Sequence, residues 1–492
     1  MRKSKYTTVL PNGENEYIIY NCLNDALLVC TPDTLELIRQ HQDHLDTLFQ
    51  QHPDLYNHLK EKGMIVQGFK CGPDYIDPSY HTAVTNRPSR NLDSWMLERD
   101  TLKDVFQRGV NGADIAVIEG VMGLYDGKSP ESDVGSTAEI SHIVDAPVLL
   151  VVNIGAMARS AAAIVKGFQT LSEHVHIGGV IVNQAGSVGH YELCKRAIEK
   201  ECNVPVVGYV KKGDVPTIPE RHLGLLPAIE RGELDEFFHQ LSRTIASQVD
   251  LDQVIDIARR SSPFQGGSTI SIPSNKKARI AVAYDAAFHS YYQENFEFLE
   301  EAGAELVYFS PLQGETLPEE CDALYIGGAL PEEYVKTLSE QEHVKQSIRQ
   351  KVIEEQMPVY AEGGGFFYLL ESFKTTAGTS HSMLGIIRGA AEMKEKLVTL
   401  GYRELTARED TMILRAGEKA RGHEFRYVTY EMMEENKRAY GVVTRKRSEQ
   451  VGYSSQHITA SSIHVHFGSN KEIAKRFVTV AEKWKKEREG KI

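Results

Sequence analysis

The sequence predicts an α/β protein with two parallel-sheet domains, preceded by a small α+β segment. Near-continuous apolar runs alternate with helical stretches between residues 67 and 245, and the same alternation resumes at residue 277. A stretch rich in Ser, Pro and Gly separates the two regions. Strands that are apolar on both sides are typical of parallel sheets covered by helices on both faces. The chain has 492 residues, which at about 150 residues per domain allows this number of units.

Residues 1–66 form the first predicted unit. Short strand candidates, "YTTVL", "EYIIYN" and "ALLVC", precede two helical stretches, "TLELIRQHQDHLDTLFQQ" and "LYNHLKEKG". The intervening "PNGEN" and "CLND" are typical of turns. We therefore expect a small α+β unit here.

Residues 67–245 form the first predicted parallel-sheet domain, with the strand candidates "ADIAVIEG", "APVLLVVNIG" and "IGGVIVNQAG". Residues 246–276 are predicted to be a helix followed by an exposed linker, because "RRSSPFQGGSTISIPSN" is rich in Ser, Pro and Gly. Residues 277–488 form the second predicted domain, with the strand candidates "ARIAVAYD", "ELVYFSP", "DALYIGG" and "MPVYAEG".

Composition excludes several classes of protein. The formal net charge is -13, which argues against a nucleic-acid or membrane-surface binder, because phosphate contacts need clustered Lys and Arg. No apolar run reaches the roughly 18 residues of a membrane span. The six cysteines are scattered, without a CxxC pair. A reduced cytoplasmic protein is therefore expected.

The stretch "PVYAEGGGFFYLLE", residues 358–371, has the pattern of a nucleophile elbow. An apolar strand candidate ends in an acid and three glycines, and a helical pattern follows at once. Such a turn normally presents one reactive side chain to a pocket. Here the apex holds only Gly363, Gly364 and Gly365. The pattern is therefore either a simple turn or a site without its nucleophile.

Several distinctive motifs follow one another along the chain: "FKCGPDYIDPSYHTAVTNRPSRNLDSWML", "GADIAVIEGVMGLYDG", "GSTAEI", "GAMARSAAAIVKGF", "IPERHLGL", "RIAVAYDAAFHSYYQENFEFLEEAGAELVYFSPL", "LGYRE", "RGHEFRY" and "SSIHVHFGSN". In this order they resemble the cobyrinic acid a,c-diamide synthase family over roughly residues 66–488. The resemblance implies a dethiobiotin-synthetase-type amidoligase domain and a class I glutaminase-like domain. It also implies an activity in cobalamin biosynthesis: ATP phosphorylates the a and c carboxylates of cobyrinic acid or a related corrinoid, and ammonia from glutamine displaces the phosphate. Mg²⁺ is the implied metal, and a homodimer is a further expectation.

Phosphoryl transfer depends on positioning and charge neutralisation, and the motifs supply candidate residues for both. Lys70 fits a cation on the phosphates, although a surface lysine at a strand end is the alternative. Glu119 ends a strand where a carboxylate would meet the ligand crevice of an open sheet, which suits Mg²⁺. Gly120 lets the backbone pass close to a ligand. Asn183 stands where related folds contact the nucleotide base.

The loop-rich segment after Lys70 holds further candidates. Asp74 and Asp93 are assigned to Mg²⁺, although each is equally suited to a turn or a helix cap. Asp77, Tyr75 and Arg90 are assigned to the substrate through their place in the family motif.

The chain departs from the family at its start. The family begins with a strand and a Walker A loop whose amides cradle the phosphates, but no G-x-x-x-x-G-K-[ST] string occurs in the sequence. The nearest, "GLYDGKS", has three residues between its glycines and belongs to an ordinary family segment. Residues 1–66 instead resemble, weakly, the N-terminus of radical-SAM peptide-modifying enzymes, without the cysteine cluster of those enzymes. We therefore expect a foreign segment joined to a truncated amidoligase domain, by gene fusion or by an assembly error.

The second departure is the elbow. The family string AECGG reads "AEGGG" here, so Gly363 occupies the position of the nucleophilic cysteine. His464 matches the activating histidine, but a histidine without a partner thiol is equally a residue left from a former site. Glutamine hydrolysis is expected to be absent and ATP-dependent ligation impaired. The alternatives are a non-catalytic corrinoid-binding pseudoenzyme and a chimeric gene product.

Overall fold

The computed structural model describes the backbone of the strands β1 (Thr7–Pro11), β2 (Tyr17–Asn21) and β3 (Ala26–Cys30), which form an antiparallel meander. The further described residues are 64–215, 220–221, 224–225, 235–261, 264, 271–328, 330–433, 438–443 and 448–490. The three strands predicted near the start are confirmed. The helices predicted between residues 32 and 62 lie outside the described residues.

The first domain alternates strands and helices. Its elements are β4 (Val66–Cys71), α1 (Asp77–Thr85), β5 (Arg90–Leu92), α2 (Arg99–Val110), β6 (Ile115–Glu119), α3 (Thr137–Val144), β7 (Val148–Asn153), α4 (Ser160–Leu171), β8 (Ile177–Ala185), α5 (Val188–Cys202), β9 (Val206–Lys211), β10 (Glu220–Arg221), β11 (Gly224–Leu225), α6 (Asp235–Gln248) and α7 (Leu251–Arg259). Helix α7 matches the helix predicted at the start of residues 246–276, and its Ile257 packs on Val207 of β9. The packed part of this domain therefore extends to α7.

The parallel sheet of the first domain is split into two halves. Strands β5-β4-β6 form one three-stranded sheet and β7-β8-β9 form another. Within the described residues, β6 pairs only with β4 and β7 only with β8. Val117 on β6 is 52% exposed and Val151 on β7 is 60% exposed. One edge of β6 and one edge of β7 are thus unpaired within the described residues.

The second domain begins with a parallel sheet and continues into two further sheets. Its elements are β12 (Ala278–Ala283), α8 (Gln293–Glu301), β13 (Ala304–Phe309), β14 (Ala323–Ile326), α9 (Glu332–Glu340), α10 (Glu342–Arg349), a π-helical turn (Gln350–Glu354), β15 (Val359–Glu362), α11 (Gly364–Leu369), β16 (Leu370–Lys374), β17 (Ser380–Ser382), β18 (Ile387–Met393), β19 (Thr399–Ala407), β20 (Lys419–Arg426), β21 (Val428–Met432), β22 (Tyr440–Val443), β23 (Ser448–Val451), β24 (Tyr453–Ser454), β25 (Ile458–Ser461), β26 (His464–Val465), a 3₁₀ turn (Phe467–Ser469) and α12 (Glu472–Arg488).

The central sheet of this domain has the order β13-β12-β14-β15-β25-β24, with only β24 antiparallel. Strands β12, β14, β15 and β25 are almost fully buried because helices and the two smaller sheets cover both faces, whereas the edge strand β13 is partly exposed. The smaller sheets have the orders β17-β16-β18-β21 and β23-β22-β19-β20-β26. The predicted α/β fold class is confirmed for both domains. Within the described residues, no helix is long and apolar enough to cross a membrane.

Buried polar contacts join the two domains. The Arg90 guanidinium pairs with the Glu297 carboxylate, and both side chains are less than 10% exposed. Arg108 donates to both carboxylate oxygens of Glu301, at 2.8 and 3.0 Å. The Tyr292 hydroxyl donates to the carbonyl of Pro73 at 3.1 Å. Buried ion pairs fix orientation strongly, because an unpaired charge there is costly.

Candidate functional site

The predicted elbow lies between β15 and α11. Gly363 has φ 55° and ψ −123°, a conformation that non-glycine residues adopt only under strain. Its amide donates to the Ser461 carbonyl at 3.0 Å, and the Gly364 amide donates to the Gly328 carbonyl at 2.5 Å. The turn thus has the strained geometry of a nucleophile elbow, while the Gly364 amide is already engaged by backbone.

The His464 ring fills the space in front of Gly363. An ideal Cβ built on Gly363 would collide with Nε2 and Cε1 of His464, and would lie 2.7 Å from the Gly328 carbonyl oxygen. His464 lies on β26, directly opposite His423 of β20. Burial lowers the pKa of His464 to about 3, and the charge of His423 adds to this effect. The ring is therefore a neutral, packed imidazole in the position where a side chain would project.

Glu362, just before the elbow, is a buried carboxyl that the sequence interpretation did not single out. It accepts hydrogen bonds from the Tyr325 hydroxyl at 2.6 Å, the Tyr360 hydroxyl at 2.9 Å and the Val465 amide at 3.1 Å. Its carboxylate lies 4.0 Å from Nδ1 of His464. Burial raises the pKa of Glu362 to about 7, although the three hydrogen bonds oppose this shift. The sequence signal that could have identified Glu362 is the acid immediately before the three glycines in the "AEGGG" string.

None of the four cysteines whose side chains the structure describes is suited to act as a nucleophile at the elbow. Cys71, Cys194, Cys202 and Cys321 are all buried. Cys321 precedes β14, at the amino end of the central sheet, whereas the elbow follows the carboxyl end of β15. Its Sγ donates to the Pro318 carbonyl at 2.9 Å, and burial raises its pKa to about 11. A buried thiol with a raised pKa is a poor nucleophile.

Lys70 and three carboxylates meet at the carboxyl ends of β4 and β6. Lys70 and Glu119 are register partners, with Nζ 3.4 Å from the Glu119 carboxylate. The same Nζ lies 2.6 Å from Asp77 and donates to the Gly120 carbonyl at 3.2 Å. Burial alone would lower the pKa of Lys70, but the bond to Asp77 and the charges of Glu119 and Asp74 raise it overall. Lys70 is therefore a charged lysine at a ligand-facing edge.

The carboxylates around Lys70 also fit a magnesium ion by their chemistry. Burial and the neighbouring Asp77 raise the pKa of Asp74 to about 6, although the Ile76 amide opposes the shift. Glu119 is about half exposed and is contacted by His81 at 2.7 Å. Within the described residues, no three His, Cys, Asp or Glu side chains form a ready cage. Mg²⁺ usually takes one or two carboxylates together with water and phosphate oxygens, so this donor set suits it.

Two predicted site residues have structural contacts instead. Asp93 accepts from the amides of Trp95 and Met96 at 2.9 and 2.7 Å and from the Tyr402 hydroxyl at 2.7 Å. These contacts support a turn-capping and domain-joining role. Arg90, as described above, pairs with Glu297 across the domain interface. The metal role of Asp93 and the substrate role of Arg90 remain predictions without a geometric argument in their favour.

Tyr75 and Asn183 lie apart from the lysine cluster. The Tyr75 ring packs 4.9 Å from the His464 ring and 5.8 Å from Tyr292, so it links the first domain to the elbow. Its hydroxyl is buried, with no hydrogen-bond partner among the described residues. Asn183 lies near the carboxyl end of β8 and turns its side-chain oxygen back to the Gln184 amide at 2.8 Å. Asn183 belongs to the other half of the split sheet from Lys70.

Comparison with known proteins divides the chain in the same two parts. The CobQ/CobB/MinD/ParA nucleotide binding domain matches residues 54–226, and the CobB/CobQ-like glutamine amidotransferase domain matches residues 279–472. The cobyrinate a,c-diamide synthase of Priestia megaterium is 49% identical over 88% of this chain and 94% of its own length. That of Dehalococcoides mccartyi is 43% identical over 86% and 93%. A crystal structure of a glutamine amidotransferase aligns with 41% of this chain and 98% of its own, at 14% identity and a TM-score of 0.30.

Proposed function

Because the chain belongs to the cobyrinate a,c-diamide synthase family, we propose that its framework serves ATP-dependent amidation of the a and c side-chain carboxylates of cobyrinate or a related corrinoid. The observation that carries this proposal is the combination of two sites in one chain. Lys70 faces Glu119 at the carboxyl ends of β4 and β6 in the first domain, and the second domain holds a strained strand-to-helix turn at Gly363. The proposed setting is the cytoplasm.

In this proposal, the residues around Lys70 serve phosphoryl transfer. The Lys70 ammonium neutralises charge on the phosphates as the corrinoid carboxylate is phosphorylated. Glu119, Asp77 and Asp74 would hold Mg²⁺, which would neutralise the same oxygens when bound. The proposed close approach of the Gly120 backbone to the nucleotide is supported by the tight packing there, since a Cβ added to Gly120 would lie 3.0 Å from the Thr137 side chain. Asn183 is proposed to contact the nucleotide base.

Glutamine is not the proposed nitrogen source for this chain. A thiolate is needed to attack the glutamine carboxamide, and Gly363 has no side chain. Ammonia from solution is the remaining nucleophile, and it would displace phosphate from the acyl phosphate to give the amide. The missing Walker A string removes the amide cradle for the phosphates, so we propose that ligation is slow even with ammonia.

The second candidate is a non-catalytic corrinoid-binding protein. The split sheet favours it, because among the described residues β6 and β7 have no partner strand on their facing edges, and no phosphate-binding turn joins the two halves there. The packed His464 ring also favours a site without chemistry. Corrinoid binding without turnover is the outcome that this candidate predicts.

Amidation of cobyrinic acid, followed by mass spectrometry, separates these candidates. The protein is supplied with ATP and Mg²⁺ and either glutamine or ammonium, with Lys70→Met as the control. We expect no amide from glutamine and a slow, Lys70-dependent reaction from ammonium. Amide formation from glutamine would overturn the role given to Gly363. Corrinoid binding without any amide would favour the second candidate.

A further inference from the structure

A large cleft lies between the two domains, and its lining includes no residue of the elbow or of the lysine cluster. Its volume is about 1330 Å³, above the range of about 300–1,000 Å³ that drug-sized ligands fill. One wall belongs to the first domain, with Trp95, Gly127 and Lys128. The opposite wall is the sheet containing β19, β20, β22 and β23. The motif "LGYRE" lies on β19, and "RGHEFRY" lies on β20 and the residue that follows it.

The sheet wall of this inter-domain cleft exposes apolar side chains. Leu400 is 58% exposed, Val443 is 78% exposed and Val398 is 38% exposed, and all three line the cleft. Exposed apolar side chains that share one concave wall mark a binding surface more strongly than scattered ones. The wall therefore suits a broad apolar ligand.

Basic side chains surround the apolar wall. Lys128, Arg403, Arg426 and Arg438 line the cleft together with three carboxylates, Glu404, Glu424 and Glu449. The cleft thus holds more cations than carboxylates, in a chain whose net charge is -13.

Two of these carboxylates are already matched by two basic groups each. Glu424 accepts from Arg403 at 2.9 Å and from Arg426 at 2.8 Å. Glu404 lies 2.7 Å from Lys419 and 3.4 Å from Arg421. The local field therefore attracts anions.

The cleft also borders the proposed phosphoryl-transfer edge. Lys128 belongs to the loop that leaves β6 after Glu119, and Trp95 follows Asp93 after β5. The Tyr402 hydroxyl joins the two walls through its 2.7 Å bond to Asp93. A ligand in the cleft would thus lie beside the strand ends that carry the lysine cluster.

We propose that this inter-domain cleft binds the corrinoid ring, with the apolar macrocycle against Leu400 and Val443 and its peripheral carboxylates facing the basic side chains. This placement rests on the proposed function, which supplies the corrinoid as substrate. A corrinoid with free side-chain carboxylates is a broad apolar ring edged by negative charge, so it matches both features of the wall.

Tryptophan fluorescence provides a direct test, because the chain has two tryptophans. Trp95 lines the cleft, whereas Trp484 lies on α12 and donates to the Glu355 carbonyl. The corrin chromophore absorbs where tryptophan emits. In a Trp484→Phe background, cobyrinic acid is expected to quench Trp95 saturably. A Trp95→Phe variant retains Trp484, and its Trp484 emission should be quenched less at the same cobyrinic acid absorbance.

Leu400→Asp is the decisive variant in that background, with Leu193→Asp as its matched control. Leu193 is 52% exposed on α5, outside the cleft. A negative charge at Leu400 would repel the ligand carboxylates, and we expect a Kd at least about tenfold higher. The Kd of the control variant should stay within about twofold of the Kd of its Trp484→Phe parent. Val443→Asp, compared with Val188→Asp, repeats the test if Leu400→Asp does not fold. Circular dichroism establishes folding in each case.

The outcomes separate this placement from the proposed function. If cobyrinic acid binds saturably and neither cleft variant changes its Kd, the placement of the corrinoid in the cleft is wrong, and the proposed function still stands. Absence of cobyrinic acid binding to the unmodified protein would overturn both. Binding that weakens only in the cleft variants, and weakens further with added salt, is the expected result.

Discussion

The imidazole of His464 occupies the volume that a side chain at Gly363 would need. By the resemblance to the family, these two positions are expected to hold a nucleophile and its activating base. In this chain, the His464 ring fills the space in front of Gly363, and its neutral, buried state suits packing better than proton transfer. Restoring the nucleophile therefore requires the ring to move.

Gly363→Cys should restore glutaminase activity only weakly. The thiol must displace His464, and a non-glycine residue at φ 55° costs about 1–3 kcal/mol. We expect slow glutamate release from glutamine, with a free energy of unfolding lower by that amount. Gly363→Ala is the control, because it carries the same strain without a thiol. Glutamate release by the alanine variant would contradict this account.

Glu362→Gln should change how stability depends on pH. The pKa of Glu362 is raised to about 7, so the folded state keeps a proton that the unfolded state releases above its ordinary value of about 4.3. The wild-type carboxyl therefore lowers the free energy of unfolding as pH rises between these values, by up to about 4 kcal/mol.

The measurement is urea unfolding of both proteins at pH 4.5, 6 and 7.5. The stability of Glu362→Gln relative to wild type should rise across this range. His464 and His466, whose pKa values burial lowers to about 3, shift both proteins equally. A difference independent of pH would refute the buried-carboxyl interpretation.

Arg90→Met should destabilise the protein strongly. It leaves the Glu297 carboxylate, which is 7% exposed, without its main partner, and breaking a buried pair costs about 3–5 kcal/mol. The exposed pair of Arg159 and Glu201 is the control, and Arg159→Met should cost less than about 1 kcal/mol. Thermal unfolding measures both. Equal losses of stability in the two variants would show that the pair of Arg90 and Glu297 does not stabilise the contact between the domains.

Lys70→Met should lower stability at neutral pH by about 1–3 kcal/mol, because Asp77 and Glu119 lose their shared cation. Burial alone would raise the pKa of Asp77, but Lys70 lowers it overall. That stabilisation is present above the ordinary aspartate pKa and is lost as pH falls through the lowered value. The gap between variant and wild type should therefore narrow in acid. Lys336→Met, in the exposed pair with Glu340, should show no such gap.

Local patterns predicted the strands well. The runs "APVLLVVNIG" and "MPVYAEG" contain β7 and β15, since continuous apolar stretches bounded by glycine are typical of buried parallel strands. The elbow at Gly363 was also predictable, because its signal lies in consecutive residues.

Long-range contacts were not predictable from the sequence. Arg90 and Glu297 are 207 positions apart, and Asp93 and Tyr402 are 309 apart. No local pattern indicates that these side chains meet, so the contacts of Arg90 and Asp93 across the domain interface could not be foreseen from the sequence. Likewise, an apolar run does not specify its neighbouring strand, and the division of the sheet between β6 and β7 emerges only in three dimensions.

That division bears on how the first domain unfolds. Within the described residues, no ladder bonds connect β5-β4-β6 to β7-β8-β9, so the two halves form separate hydrogen-bonded units. The half with β4 is tied to the second domain through Arg90, while the other half packs around α4 and α5. Amide exchange should therefore report two opening free energies in one domain, with cooperativity lost at this boundary.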